Sequence, residues 1–198
     1  MATVTSEAHG AALAAATQQH EATLRPAINQ LGLWLFFFSE AFLFSALATA
    51  RFVIAGVDQP EELNQALGLA ITSVLLLSSL TAYRAEASIA RGDRPAFLRN
   101  LLATIFLGLL FVVGVGIEWT TAEFHLSEPY GTAFFSMTGL HASHVVSGLV
   151  MLVLVYWLGL RGHFSAERHW GVEATIKYWH FVDVVWVFFY PILYLIGW

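Results

Sequence analysis

Five long apolar segments, separated by shorter polar ones, dominate the pattern of residues along the chain. A membrane-spanning helix needs about 20 predominantly apolar residues, and each segment supplies roughly that length. The pattern therefore predicts an all-α polytopic membrane bundle of five transmembrane helices, at residues 29–50, 67–83, 101–117, 132–160 and 178–198. Residues 1–28 are rich in Ala, Gln, His and Glu and are predicted to be a flexible or interfacial tail, with residues 29–198 as the membrane domain.

Basic residues are distributed unevenly between the two ends of the predicted bundle. Of nine Lys and Arg residues, eight lie in the tail and in the segments that follow the second and fourth spans, and only Arg51 lies at the opposite end. Lys and Arg are enriched on the cytoplasmic side of membrane helices. The distribution predicts an odd number of spans, a cytoplasmic N-terminus and an external C-terminus.

Composition excludes several classes of function. Hydrophobic residues make up 58% of the chain and charged residues 12%, against roughly 25% charged in a typical soluble domain. The chain has no Cys, so it has no disulfides, thiolate metal ligands or cysteine nucleophile. The net charge of -5 and the lack of a basic run argue against nucleic acid as a partner. The expected partners are membrane lipids and other membrane helices.

Glu40 lies near the middle of the first predicted span. A carboxylate at that depth is costly unless it is protonated, paired or hydrated. Two interpretations remain open, a structural hydrogen bond within the bundle and a role in proton or lipid handling. We expect Glu40 to be uncharged or hydrogen-bonded at neutral pH, with His144 as a candidate partner at similar depth.

The fourth span carries His141, His144 and Gly148 on one face, because residues three and seven apart lie close together around a helix. Two histidines could bind a metal, but the absence of neighbouring carboxylate or sulfur ligands favours hydrogen-bonded packing. The sequence predicts that the chain itself binds no metal.

Beside the histidine face, small residues recur every four positions at Gly139, Ser143 and Ser147. Stripes of small residues allow another helix to approach closely in a membrane. Together with Gly148, these residues are predicted to serve helix packing.

The fifth span carries His180, Asp183 and Tyr190 on one face. With a start near Tyr178, Asp183 would lie roughly 8 Å inside the span, where it is either satisfied by a neighbouring His or Trp N–H or takes part in proton relay. Pro191 is expected to bend this helix, because proline has no N–H and clashes with the preceding turn.

Glu118 is predicted to end the third span and to begin an external acidic loop with Glu123 and Glu128. The simplest interpretation is a solvated loop. The alternative is a docking patch for a cationic redox protein.

Four motifs resemble cytochrome c oxidase subunit III: GLWLFFFSEAFLF, LLLSSLTAYRA, YGTAFFSMTGLHASHVVSG and GVEATIKYWHFVDVVWVFFYPILYL. The resemblance extends from about residue 29 to the C-terminus. It is to a short, five-helix form typical of bacterial oxidases, which lacks the first two of the seven helices of the mitochondrial form. The site residues that match the family's polar landmarks are Glu40, His141, His144, Glu173, His180 and Asp183.

This resemblance implies a non-catalytic subunit of a proton-translocating oxidase in a bacterial cytoplasmic membrane. Such a subunit packs against catalytic subunit I, in the same complex as subunit II, and binds phospholipid. It supports proton uptake, while haem and copper lie in the partner subunits. Two alternatives remain: the equivalent subunit of a quinol oxidase or nitric oxide reductase assembly, and a free-standing transporter with a proton path through Glu40, His144 and Asp183. A transporter should show an internal repeat, and the sequence has no such repeat.

Overall fold

A computed structural model describes the backbone of residues 2–57, 59–60 and 63–197, and the side chains of residue 24 and of residues 27 onward within those ranges. It contains five α-helices, α1 (Ala2–Ala55), α2 (Gln65–Ala90), α3 (Arg94–Thr121), α4 (Pro129–Leu160) and α5 (Trp170–Tyr190), and a π-helix at Pro191–Leu195. Over these described ranges there is no β-strand. All five helices are long and apolar enough to cross a membrane. The predicted all-α, five-helix class is confirmed.

The chain divides into two compact units, residues 1–40 and residues 41–198. The first unit is the N-terminal part of α1, whose backbone is helical from Ala2. The side chains of residues 1–23, 25 and 26 lie outside the described residues, so the flexible or interfacial character of residues 1–28 stays a prediction.

Helices α2 to α5 form the core of the second unit. Within this unit α2 packs against α3, α3 against α4, and α4 against α5. Helix α5 also packs against α2. The last part of α1 belongs to the same unit, where the Phe44 ring lies 4.8 Å from the His144 ring and 5.6 Å from the Phe189 ring.

All five helices begin earlier in the chain than the apolar pattern predicted. The N-cap of α2 is Asn64, whose side chain accepts a hydrogen bond from the Leu67 N–H at 2.9 Å. The N-cap of α3 is Asp93, whose side chain accepts a hydrogen bond from the Ala96 N–H at 3.0 Å. Polar residues near a membrane edge end a hydropathy segment without ending a helix, because helix ends are determined by caps and turns.

The predicted start of the fifth helix near Tyr178 is wrong, since α5 begins at Trp170. Asp183 therefore lies roughly 20 Å along α5 from its first residue, at about 1.5 Å per residue. At Pro191, where a bend was predicted, the α-helix gives way to the π-helix.

The alternating helices place most basic residues at one end of the second unit. Arg94 reaches from the α2–α3 turn to the C-terminus of α4, donating to the carbonyls of Gly159 at 3.0 Å and Leu160 at 2.6 Å. We call this the basic end; its Lys and Arg residues are Arg84, Arg91, Arg94, Arg99, Arg161, Arg168 and Lys177. At the opposite end Arg51 is fully buried, donates to the Gly56 carbonyl at 2.7 Å, and lies over the Tyr130 ring.

Candidate functional site

Hydrogen bonds between side chains connect α5 to α2 in the middle part of both helices. The indole N–H of Trp179 donates to the Ser78 hydroxyl, and that of Trp186 donates to the Thr72 hydroxyl, each at 2.9 Å. All four side chains are buried. We call this contact the α2–α5 seam. Ser78 and Thr72 of α2 are therefore acceptors for the indole donors of α5.

Trp179 is the centre of this packing. A Cβ atom on Gly108 of α3 would lie 2.6 Å from the Trp179 ring, and one on Gly148 of α4 would lie 2.9 Å from it. Glycine at both positions lets two helices close on the indole, which also bonds to α2. One side chain thus connects α2, α3, α4 and α5.

The seam continues toward the basic end with a short polar contact. The Ser79 hydroxyl lies 2.6 Å from His180 Nδ1. Glu86 lies about two turns further along α2 and is half-buried. It is an electrostatic neighbour of Glu173 and Lys177 on α5. Lys177 also donates to Glu173 at 2.5 Å. The structure therefore brings the predicted residues Glu173 and His180 to one seam.

Asp183 is 3% exposed, and neither of its carboxylate oxygens has a hydrogen-bond partner among the described residues. The Ser79 hydroxyl is close enough to act as a donor to this carboxyl group, but no hydrogen bond of standard geometry joins the two side chains. The predicted structural alternative, in which a neighbouring His or Trp N–H satisfies Asp183, is not observed. His180 is bound to Ser79, and Trp179 and Trp186 donate to other hydroxyls of α2.

The two histidines of α4 use different backbone acceptors. His141 is fully buried and its Nε2 lies 3.1 Å from the Val182 carbonyl, so this nitrogen carries the hydrogen. His144 Nδ1 lies 2.8 Å from the Leu140 carbonyl. Among the described residues, no group of three or more His, Asp or Glu could hold a metal ion. The prediction that the chain binds no metal remains open to experiment.

The small-residue stripe of α4 is only partly covered within this chain. A Cβ on Gly139 would lie 3.4 Å from the Trp119 ring. Ser143 and Ser147 are exposed, and Ser147 shares a 2.6 Å hydrogen bond with the Tyr178 hydroxyl. Close approach of another helix at Gly139, Ser143 and Ser147 stays a prediction.

Glu40 is half-buried on the part of α1 that belongs to the first unit. Its predicted pairing with His144 would join the two units of the chain. That pairing, and the uncharged or hydrogen-bonded state of Glu40, stay predictions.

The prediction that Glu118 begins a solvated loop is wrong. Glu118 lies within α3 and is 3% exposed, and the Tyr194 hydroxyl lies 2.8 and 2.7 Å from its two carboxylate oxygens. Glu123 and Glu128 are exposed, as expected. The spacing of residues in α3 could have predicted the burial of Glu118. This residue follows the buried residues Thr104 and Phe111 at intervals of seven, on one face of the helix.

Five apolar helices with a polar seam inside the bundle define a polytopic membrane protein of the helical-bundle class. A family model for cytochrome c oxidase subunit III matches residues 11–198. The chain therefore belongs to the cytochrome c oxidase subunit III family. Family membership makes it a component of a membrane oxidase complex with other subunits.

Similar proteins named cytochrome c oxidase subunit 3 come from animals and a fungus. The protein of Equus caballus is 35% identical over 193 residues, covering 91% of this chain and 74% of that protein. The protein of Neurospora crassa is 36% identical over 191 residues, covering 90% and 71%. The protein of Bos taurus is 42% identical over 127 residues, covering 64% and 49%.

Proposed function

We propose that this chain is a non-catalytic subunit III of a haem-copper terminal oxidase of the cytochrome c oxidase type, active in aerobic respiration. The chain packs against subunit I in a complex that also contains subunit II, and it binds lipid and sustains proton uptake and turnover. Haem and copper belong to the partner subunits, where O2 is reduced to water. The observation that carries this proposal is the family match over residues 11–198.

The bonding of the buried side chains supports a non-catalytic role. One ring nitrogen of His141 and one of His144 lie against backbone carbonyls. The tryptophans of α5 donate to hydroxyls of α2. These contacts stabilise the bundle and are the kind of rigid packing by which one subunit can hold the surface of another.

Lipid binding is supported by a groove of about 410 Å³ between α4 and α5 at the basic end. Apolar side chains, including Met151, Leu154 and Leu158, line its wall, and Arg168 and His163 lie at its polar end. Basic pockets between membrane helices bind anionic lipid head groups. The groove suits a phospholipid with its acyl chain along α4 and its phosphate at Arg168.

We expect Arg168→Ala to lower the anionic phospholipid retained by the purified complex about fivefold, because one basic side chain near the membrane surface contributes about 1 kcal/mol. Mass spectrometry of extracted lipid measures the retention. Arg99→Ala is the matched control, since Arg99 is exposed at the same end but does not line the groove. Equal retention in both variants would contradict this site.

We place the basic end at the cytoplasmic face of a bacterial inner membrane, with the N-terminus inside and the C-terminus outside. The absence of native Cys gives a clean test by thiol labelling. In intact cells an impermeant thiol reagent should label Glu123→Cys and leave Arg91→Cys unlabelled, both positions being exposed. The reverse pattern would invert the proposed orientation.

Purification of the native protein in mild detergent tests the proposed complex. We expect subunit I and a subunit II with a copper-binding Cys pair to accompany this chain. A subunit II without that pair would instead indicate a quinol oxidase, and recovery of the chain alone would contradict the proposal.

A further inference from the structure

We propose that Asp183 is a buried, hydrated proton-exchange site, reached from the basic end along the α2–α5 seam through Glu86, Glu173, His180 and Ser79. The ligand is water. The site holds a proton and returns it to the side from which it came. This inference concerns the chain's own residues and does not depend on the proposed role in an oxidase.

The register of the two antiparallel helices α2 and α5 brings the polar residues of the proposed path together. Ser79 and Glu86 are seven residues apart on α2, and Glu173 and His180 are seven apart on α5. Residues seven apart lie on one helix face about 10 Å from each other. Glu86 is an electrostatic neighbour of Glu173, and Ser79 contacts His180 at 2.6 Å. The seam thus has two polar levels on one face.

Asp183 is more deeply buried than the side chains of these two polar levels. Glu86, Glu173, His180 and Ser79 are half-buried, whereas Asp183, one turn deeper than His180, is 3% exposed. Water entering at the basic end therefore meets partly open polar groups as far as the Ser79–His180 contact. Lys177, with its long stem, can extend its ammonium group toward the membrane surface beside this entrance.

The Ser79 hydroxyl can donate to one oxygen of Asp183, so the other oxygen still requires a ligand. Neither carboxylate oxygen has a hydrogen bond of standard geometry among the described residues, and a buried polar group without partners is costly. Buried water commonly satisfies such groups. If His180 Nδ1 donates to Ser79, the Ser79 O–H is free to donate to Asp183 or to a water bound there. The three side chains then form one hydrogen-bonded site.

The path ends at Asp183. On the far side Trp186 donates to Thr72, and beside it Trp179 donates to Ser78. An indole N–H is a donor only and cannot accept a proton in relay. Of the other titratable groups on packed elements, His169 lies at the basic end, and Glu118 and Tyr194 bond to each other at the opposite end. On α4, His141 and His144 each place one ring nitrogen against a carbonyl, and His141 Nδ1 is buried without a partner among the described residues. Proton exchange at Asp183 is therefore one-sided.

Infrared spectroscopy of the full complex in lipid nanodiscs, transferred from H2O to D2O, tests the proposal. Asp183→Asn assigns the carboxylic C=O band of Asp183. We expect this band to be present at neutral pH and to shift promptly in D2O. In the Glu86→Gln, Glu173→Gln double variant the shift should be at least about tenfold slower, since positioned groups accelerate proton transfer by at least that factor.

Glu118→Gln is the control, because it removes another buried carboxyl at the opposite end and should leave the exchange rate of Asp183 unchanged. If Asp183→Asn does not assemble, Ser79→Ala serves as the second variant and should displace the same band. An ionised Asp183, exchange as slow as that of core amides, or an exchange rate unaffected by the double variant would each overturn the proposal.

Discussion

Trp179→Ala is expected to lower the free energy of unfolding by about 3–5 kcal/mol, the usual cost of truncating a buried aromatic side chain to alanine. Trp179 is fully buried. Gly108 and Gly148 are placed so that α3 and α4 close on its ring. The substitution leaves a cavity that these glycines cannot fill and removes the donor to Ser78.

The effect can be measured by denaturant unfolding of the chain in mixed micelles, followed by loss of helical circular dichroism. Trp34→Ala is the matched control because the Trp34 side chain is 62% exposed, and it should change stability little. Trp179→Phe should cost less than Trp179→Ala, since most of the ring volume remains. Equal stability of Trp179→Ala and the parent would show that the indole does not hold the four helices together.

Segment length and face periodicity made the helices predictable from sequence. Apolar runs of membrane-spanning length have few alternatives, because every backbone polar group in a bilayer must be satisfied internally. The face shared by His141 and Gly148 is buried as their spacing suggests, while His144 lies at its edge beside Phe44. Local spacing therefore located the face correctly but not its edge.

Contacts between helices could not be predicted from sequence, because they depend on the relative register of two packed helices. The pairing of Ser79 with His180 and of Thr72 with Trp186 follows from the antiparallel register of α2 and α5. Glu118 was assigned to the wrong environment because its partner, Tyr194, lies far along the chain. The start of α5 was placed too late because Glu173 and Lys177 end the apolar segment while the helix itself begins at Trp170.

Removal of this subunit is expected to leave an oxidase that contains its haems and copper and starts O2 reduction at a near-normal rate, but loses activity over repeated turnovers. The proposed role is packing, lipid binding and support of proton uptake. A packed helical face can exclude water and hold a neighbouring proton entrance in its working geometry. The loss should therefore appear in proton supply and durability.

A role in assembly alone gives a different result. The depleted complex would then be scarce, but each surviving molecule would turn over normally and for as long as the intact enzyme. Quantifying haem in both preparations separates the amount of enzyme from its activity.

The most direct test of the proposed function is O2 consumption per haem, followed over successive turnovers for the intact and the subunit-depleted oxidase. We predict equal initial rates followed by progressive inactivation of the depleted enzyme alone. Immediate and complete loss of O2 reduction, with all metal centres intact, would contradict a supporting role for this chain.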